Sequence, residues 1–232
     1  MKTVFFTFLL LILLSYVMVS TGCSKSSSSG NNNNNNNNGG SHSDLVSGFT
    51  NVNSSTGAST TYSFTYDDQN RQTGETISDG TSPISYSYGS GTVTKTQGTV
   101  TTIYTLNNAG QATSDNQGNT YTYDGNGFMI SETNPNGAST TNTVSNGNIT
   151  STVQTPSAGA SITYTFTFTG KPNTIKFGLN FLGSINTSLI QTEGINGVSY
   201  SFTYAYDSYG RVQTLKIVSG PTTLTRTYTY IN

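Results

Sequence analysis

Few side chains in this 232-residue chain have chemistry to offer. Nucleophilic catalysis and metal binding lean on Cys and His, and the sequence holds one of each, Cys23 and His42. His42 lies in a Ser/Asn/Gly tract with nothing to hold it, and general-base work needs a fixed geometry. Setting it aside removes every Ser-His, Cys-His and His-metal pairing. A single Cys also rules out an intramolecular disulfide and a thiolate cluster. Ten carboxylates remain. Asp67, Asp68, Asp124 and Asp207 read as turn residues. The run Asp124-Gly125-Asn126-Gly127 has the flavour of a calcium loop, but the EF-hand pattern closes on a Glu at loop position 12, where this chain has Pro135. A glycosidase needs two carboxylates about 5–10 Å apart beside a cleft. Glu75, Glu132 and Glu193 qualify by type alone, with no motif around them. The sequence therefore assigns no catalytic residue, no cofactor and no metal site, and it reads as a non-enzyme.

Nine Lys and Arg against ten Asp and Glu give a formal net charge of −1, with only 8% of residues charged. Nucleic-acid binding requires a clustered Lys/Arg excess, so DNA and RNA drop out as partners. Fifteen Tyr, eleven Phe and abundant Thr suit pleated, half-buried surfaces. The elements that must position any site are strands.

The chain opens on Lys2 and an apolar stretch from Val4 to Val19, followed by Ser20-Thr21-Gly22-Cys23. A basic start, an apolar run too short for a comfortable membrane span and small residues at its end predict a signal peptide over 1–22. The segment resembles the lipobox of bacterial lipoproteins, with Ser20 where that pattern usually has Leu. The resemblance implies acylation of Cys23, which becomes the mature N-terminus and attaches the protein to a membrane. Ser24 lacks the Asp that retains many lipoproteins in the inner membrane, so the resemblance favours the outer membrane. Residues 24–43 contain no apolar side chain and predict a disordered tether. About 20 such residues reach roughly 25 Å.

From residue 44 to 232 the pattern turns to period 2, punctuated by Gly, Asn and Asp, as strands joined by tight turns require. The clearest units are Tyr62 to Arg71, with Tyr66-Asp67 at its centre, Tyr121-Thr-Tyr123-Asp124 leading to Gly127, and Tyr204-Ala-Tyr206-Asp207 leading to Gly210-Arg211. Weaker copies start near Tyr86, Tyr104, Asn142, Tyr164 and Tyr228. Neighbouring units lie about 17–24 residues apart, with one gap near 40. Physically, each unit is a hairpin: aromatics on one face, an Asp to bind turn amides, and a Gly for the positive φ that closes the loop. Arg71 and Arg211, at the turn ends, read as solubilising charges at a sheet edge. The pattern resembles the YD-repeat family related to bacterial Rhs proteins over most of residues 62–232. Together with the lipobox and tether it is similar to YD-repeat lipoproteins of Bacteroidota, a group in which a segment like 170–179 interrupts the repeats before a final Y-x-Y-D unit.

Residues 171–198 fill the long gap and hold the densest apolar set without alternation, from Ile175 and Phe177 to Leu189 and Ile190. Long loops are rarely bare, so this one is predicted to cover a sheet face, with a short helical turn limited by Gly178 and Gly183; the alternative is a lid over a small apolar pocket lined by Tyr side chains. The architecture predicted is an all-β antiparallel meander of hairpins, forming a curled open sheet or partial barrel. Its role is read as a non-catalytic binding module displayed at the cell envelope, taking a glycan or protein on an exposed Tyr-rich surface. Two alternatives stand beside it: an assembly subunit pairing through a free edge near Tyr228 to Asn232, and a carboxylate-dependent hydrolase.

Overall fold

The computed structural model describes residues 43–231. The signal peptide, Cys23, His42 and most of the tether lie outside the described residues. Sixteen strands follow one another among the described residues. The first eight are β1 (Val46–Asn53), β2 (Ser59–Tyr66), β3 (Gln72–Ile77), β4 (Ile84–Gly89), β5 (Thr92–Gln97), β6 (Val100–Leu106), β7 (Ala112–Asp115) and β8 (Thr120–Tyr123). The second eight are β9 (Met129–Thr133), β10 (Ser139–Ser145), β11 (Asn148–Thr155), β12 (Ile162–Pro172), β13 (Ser188–Ile195), β14 (Val198–Tyr206), β15 (Val212–Ser219) and β16 (Thr222–Tyr230). Each strand pairs antiparallel with its sequence neighbours, as predicted.

The sheet departs from the prediction by closing completely. β16 pairs with β1, from Val46 opposite Tyr230 to Asn53 opposite Leu224, so the structure is a closed barrel and not an open sheet or partial barrel. Closure depends on β1, whose sequence VSGFTNVN carries no Y-x-Y unit and gives no repeat signal. The edge predicted near Tyr228 to Asn232 is consumed in this pairing through Tyr230.

Strand alternation separates the two faces. On β2, Tyr62 and Phe64 point inward and are buried, while Thr61, Ser63 and Thr65 are exposed. β12 repeats this with Tyr164 between Thr163 and Thr165, and β14 with Phe202 between Ser201 and Thr203. Hydroxyls bond across the outside, as between Thr50 and Thr61 at 3.1 Å, Thr65 and Thr73 at 3.0 Å, and Thr167 and Thr192 at 2.7 Å. Inside, Phe49 stacks on Tyr62 at 4.4 Å and meets Tyr228 edge-on at 5.8 Å. A barrel that spans a bilayer carries an outward apolar band. Here the outward wall is mostly Thr and Ser, with scattered exposed apolar residues such as Val52 and Ile103 and no continuous apolar band among the described residues, and the aromatics fill the interior.

Because strand direction alternates, every connection after an even-numbered strand lies at one end of the barrel. That end carries the Tyr-Asp turns, the entry to β1 and the exit from β16. It also carries the connection between β12 and β13, residues 173–187, which folds back into the barrel. The predicted cover 171–198 thus divides: its first part plugs the interior, and its remainder contributes β13 to the wall. Phe177 sits 5.2 Å from Phe64 in one aromatic cluster, and Phe181, on a 3₁₀ turn over Asn180–Leu182, sits 5.0 Å from Tyr104 in another. The plug is fixed to the wall by its backbone. Lys176 and Gly178 carbonyls accept from Val46 and Gln72 N–H at 2.9 and 3.2 Å, and Ser184 N–H donates to the Gly127 carbonyl at 2.7 Å. Gly178 has φ +69, and a Cβ there would lie 2.5 Å from the Asn70 carbonyl oxygen, so only glycine lets the plug approach this closely.

Candidate functional site

The Tyr-Asp units resolve into one repeated turn. Asp67 Oδ1 accepts from the N–H groups of Gln69 and Arg71, both at 3.0 Å, while Oδ2 takes Arg71 Nε at 2.7 Å. Asp207 does the same with Tyr209 and Arg211 at 2.9 Å, and with Arg211 Nε at 2.8 Å. Asp124 holds Asn126 and Phe128 N–H at 2.9 Å. Gly127 and Gly210 supply φ of 84 and 79. Irregular repeats prove chemically equivalent: Asn107 Oδ1 accepts from Ala109 and Gln111 N–H, and Asn70, in the Gly place, has φ 60. Asn also tolerates that conformation. The sequence reading missed a further copy at Asp115, which binds Gln117 and Asn119 N–H in a turn at the opposite end.

A register shift falls immediately before Tyr66, Tyr123 and Tyr206. This bulge turns the strand into the loop. Tyr66 donates its hydroxyl to the Val46 carbonyl at 2.5 Å, and Tyr123 donates to the Phe181 carbonyl at 3.4 Å, linking wall to wall and wall to plug. The Tyr206 ring carries the Lys171 ammonium 4.9 Å from its centroid. Arg211 is not the surface charge that its position suggested. It is only 7% exposed, stacks over Tyr230 at 4.4 Å and donates from Nη1 to the Ser43 carbonyl at 2.9 Å. These residues build one end of the barrel, and their chemistry is structural.

Desolvation works to raise the Asp207 pKa but is outweighed by the Arg211 side chain and the Arg211 and Tyr209 N–H groups, which hold it below the usual carboxylate value. Asp207→Ala orphans two turn amides and the buried Arg211 guanidinium. We expect a loss of about 2–3 kcal/mol in urea unfolding, against about 1 kcal/mol for Asp207→Asn, which keeps the Oδ1 acceptor. Equal losses for the two variants would show that the amide contacts contribute nothing.

The tyrosines do not form the exposed patch that the binding reading anticipated. They face the interior, and among the described residues Tyr209, 58% exposed, is the tyrosine that stands out on the surface. Functional potential therefore moves inside. Glu75, Glu132 and Glu193 all point into the barrel, opposite Phe64, Tyr121 and Phe166. Burial raises the pKa of each; for Glu75 the nearby Lys95 opposes the rise, and for Glu132 the charge of Asp115 adds to it. Glu132 and Glu193 line separate cavities, so the convergent pair that a glycosidase requires is not formed by them.

Glu193 lines a cavity of about 100 Å³ bounded by β11 to β16 and the plug. Its pKa is pushed up to about 7 by burial alone. Tyr228, from the final repeat, reaches the same cavity. Nothing in the local sequence of either residue marked this meeting, since they lie 35 positions apart on non-adjacent strands.

These features define a closed, plugged β-barrel with a polar outer wall and, between the plug and β11 to β16, a chamber that holds the Glu193 carboxyl. No family model and no curated protein matches the chain. Its fold is shared with the crystal structure of a porin-like protein from Bacteroides uniformis ATCC 8492, at a TM-score of 0.61 and 18% identity, over 80% of this chain and 98% of that one.

Proposed function

We propose that this protein is a lipid-anchored module of the cell envelope that binds a small molecule inside its barrel. One observation carries the reading: the outer wall is hydroxylated while the interior holds an apolar chamber with a buried carboxyl group. A water-facing barrel needs an anchor to remain at a membrane, and Ser20-Thr21-Gly22-Cys23 is the segment that would supply it. The N-terminal strand enters at the plugged end, so a tether from Cys23 presents the opposite end away from the bilayer. The absence of Asp at Ser24 supports the outer membrane, and the porin-like description of the protein that shares the fold supports an envelope setting. The YD-repeat kinship remains part of this proposal, supported by the recurrent Asp-centred turn. The closed barrel weighs against the alternative of assembly through a sheet edge, because closure removes edges.

Cell fractionation tests the anchor. Cys23→Ser is expected to move the protein from the membrane fraction to the soluble fraction, and unchanged membrane retention would refute lipid attachment. Protease added to intact cells then reports the face: a fragment released by cutting within 24–43 places the barrel outside, and release only after lysis places it in the periplasm.

A further inference from the structure

The chamber holds two polar groups that the fold leaves without partners. Glu193 Oε2 and the Tyr228 hydroxyl are buried, at 3% and 4% exposure, have no hydrogen-bond partner, and both line the same space. They enter from different strands, β13 and β16. Other polar side chains at the wall are engaged: Asn186 Oδ1 accepts from Ile149 N–H at 2.6 Å, Tyr204 donates to the Ile190 carbonyl at 2.7 Å, and Thr152 donates to Asn142 Oδ1 at 2.7 Å. Folding alone gives no reason for an acid here. Its ladder neighbours Phe166 and Tyr200 are aromatic, and an apolar residue at 193 would remove an unpaired buried carboxyl. A polar group kept at such a cost inside an apolar cavity is the signature of a binding site.

The chemistry of the wall selects the ligand. An anion is repelled by ionised Glu193, and a hydrocarbon leaves both polar groups unsatisfied. A primary ammonium donates to the Glu193 carboxylate and to the Tyr228 oxygen, gains from the surrounding aromatic faces, and lays its alkyl body against Ile190 and Leu215. Size limits that body, since a cavity of about 150 Å³ accommodates benzene. We infer that the chamber between the plug and β11 to β16 binds a small primary alkylammonium, with Glu193 and Tyr228 holding its head group. The inference rests on the binding-module reading and assigns the site and ligand class within it.

The test is calorimetric titration of the purified full-length protein at pH 8 with n-butylammonium chloride and with n-butanol. Saturable one-to-one binding of butylammonium, tighter than that of butanol, is expected. Glu193→Gln should weaken it about tenfold or more and Tyr228→Phe less, while butanol binding stays within about twofold. Lowering the pH to 5.5 should weaken ammonium binding in the native protein as Glu193 takes up a proton. The ionisable groups facing Glu193 are Tyr164 on β12, Tyr200 on β14, and Tyr204 and Tyr228 lining the same chamber; β11 and β15 contribute Ile149, Thr152 and Leu215, and the plug's Lys176 pairs with Asp44 and does not line the chamber. Butanol binding as tight as butylammonium would overturn the ammonium assignment and leave the binding module standing. Binding of neither probe would overturn both. If Glu193→Gln does not fold by circular dichroism, Tyr228→Phe and the pH comparison decide.

Discussion

Phe177→Ala should destabilise the protein by about 3–5 kcal/mol, the range for removing a fully packed aromatic side chain. In a barrel of this size that lowers the melting temperature by on the order of 10 °C. The magnitude follows from the position of the ring. Phe177 is buried between Phe64 and Phe49, on a segment whose bridge to the wall strands is the single Leu45–Lys176 pair, so the ring ties the plug to the wall. Its loss leaves a void that the wall cannot close, because the surrounding aromatics are fixed by the strand ladders that carry them. Thr163→Ala and Ser201→Ala, on the exposed outer face, serve as controls and should stay within about 0.5 kcal/mol. Urea unfolding monitored by tyrosine fluorescence measures all three. A Phe177→Ala loss below about 1 kcal/mol would mean that the barrel holds its shape without the plug, and residues 173–187 would then be a removable lid.

The hairpins, the inward aromatics and the Asp-Gly turns were legible because each is encoded within a few residues. A strand reveals its face by alternation, and Tyr206-Asp207-Ser208-Tyr209-Gly210 names its turn through one acceptor and one positive φ. Closure was not legible, since it joins β1 to β16 across almost the whole domain and β1 lacks the repeat signature. The solvent-facing side was misjudged for a related reason. Period 2 separates Tyr from Thr but does not say how much of the aromatic face a plug and a closed wall will cover. Arg211 illustrates the same limit: by position it reads as a surface charge, and only the meeting of Tyr230, Ser43 and Asp207 around it makes it an internal tie. Glu193 could be recognised by type and nothing more, because its site is assembled from β13, β16 and the plug.

Replacing Glu193 by Gln should stabilise the protein above neutral pH, an uncommon direction for a buried substitution. Burial lifts the folded-state pKa of Glu193 to about 7 from the ordinary glutamate value of 4.5. Between those values the unfolded chain has released the proton and the folded chain retains it, so native stability falls as pH rises. The full difference, about 3 kcal/mol, is reached once pH exceeds the folded pKa. Below about pH 4.5 both states hold the proton and the cost vanishes. Glu75 and Glu132, also raised by burial, add slopes of the same sign, and the lowered pKa values of Asp67 and Asp207 act only at more acidic pH. Those slopes are common to native and variant protein and cancel in their difference. The expectation is therefore a Glu193→Gln advantage of about 1 kcal/mol or less at pH 5 that grows toward about 3 kcal/mol at pH 8, read from urea midpoints at each pH. A constant difference across that range would place Glu193 in contact with solvent or a cation in the folded protein. Saturating butylammonium supplies the missing counter-charge, so it should reduce the Glu193→Gln advantage at pH 8 and reduce it less at pH 5, which ties the energetic cost of this buried acid to its use.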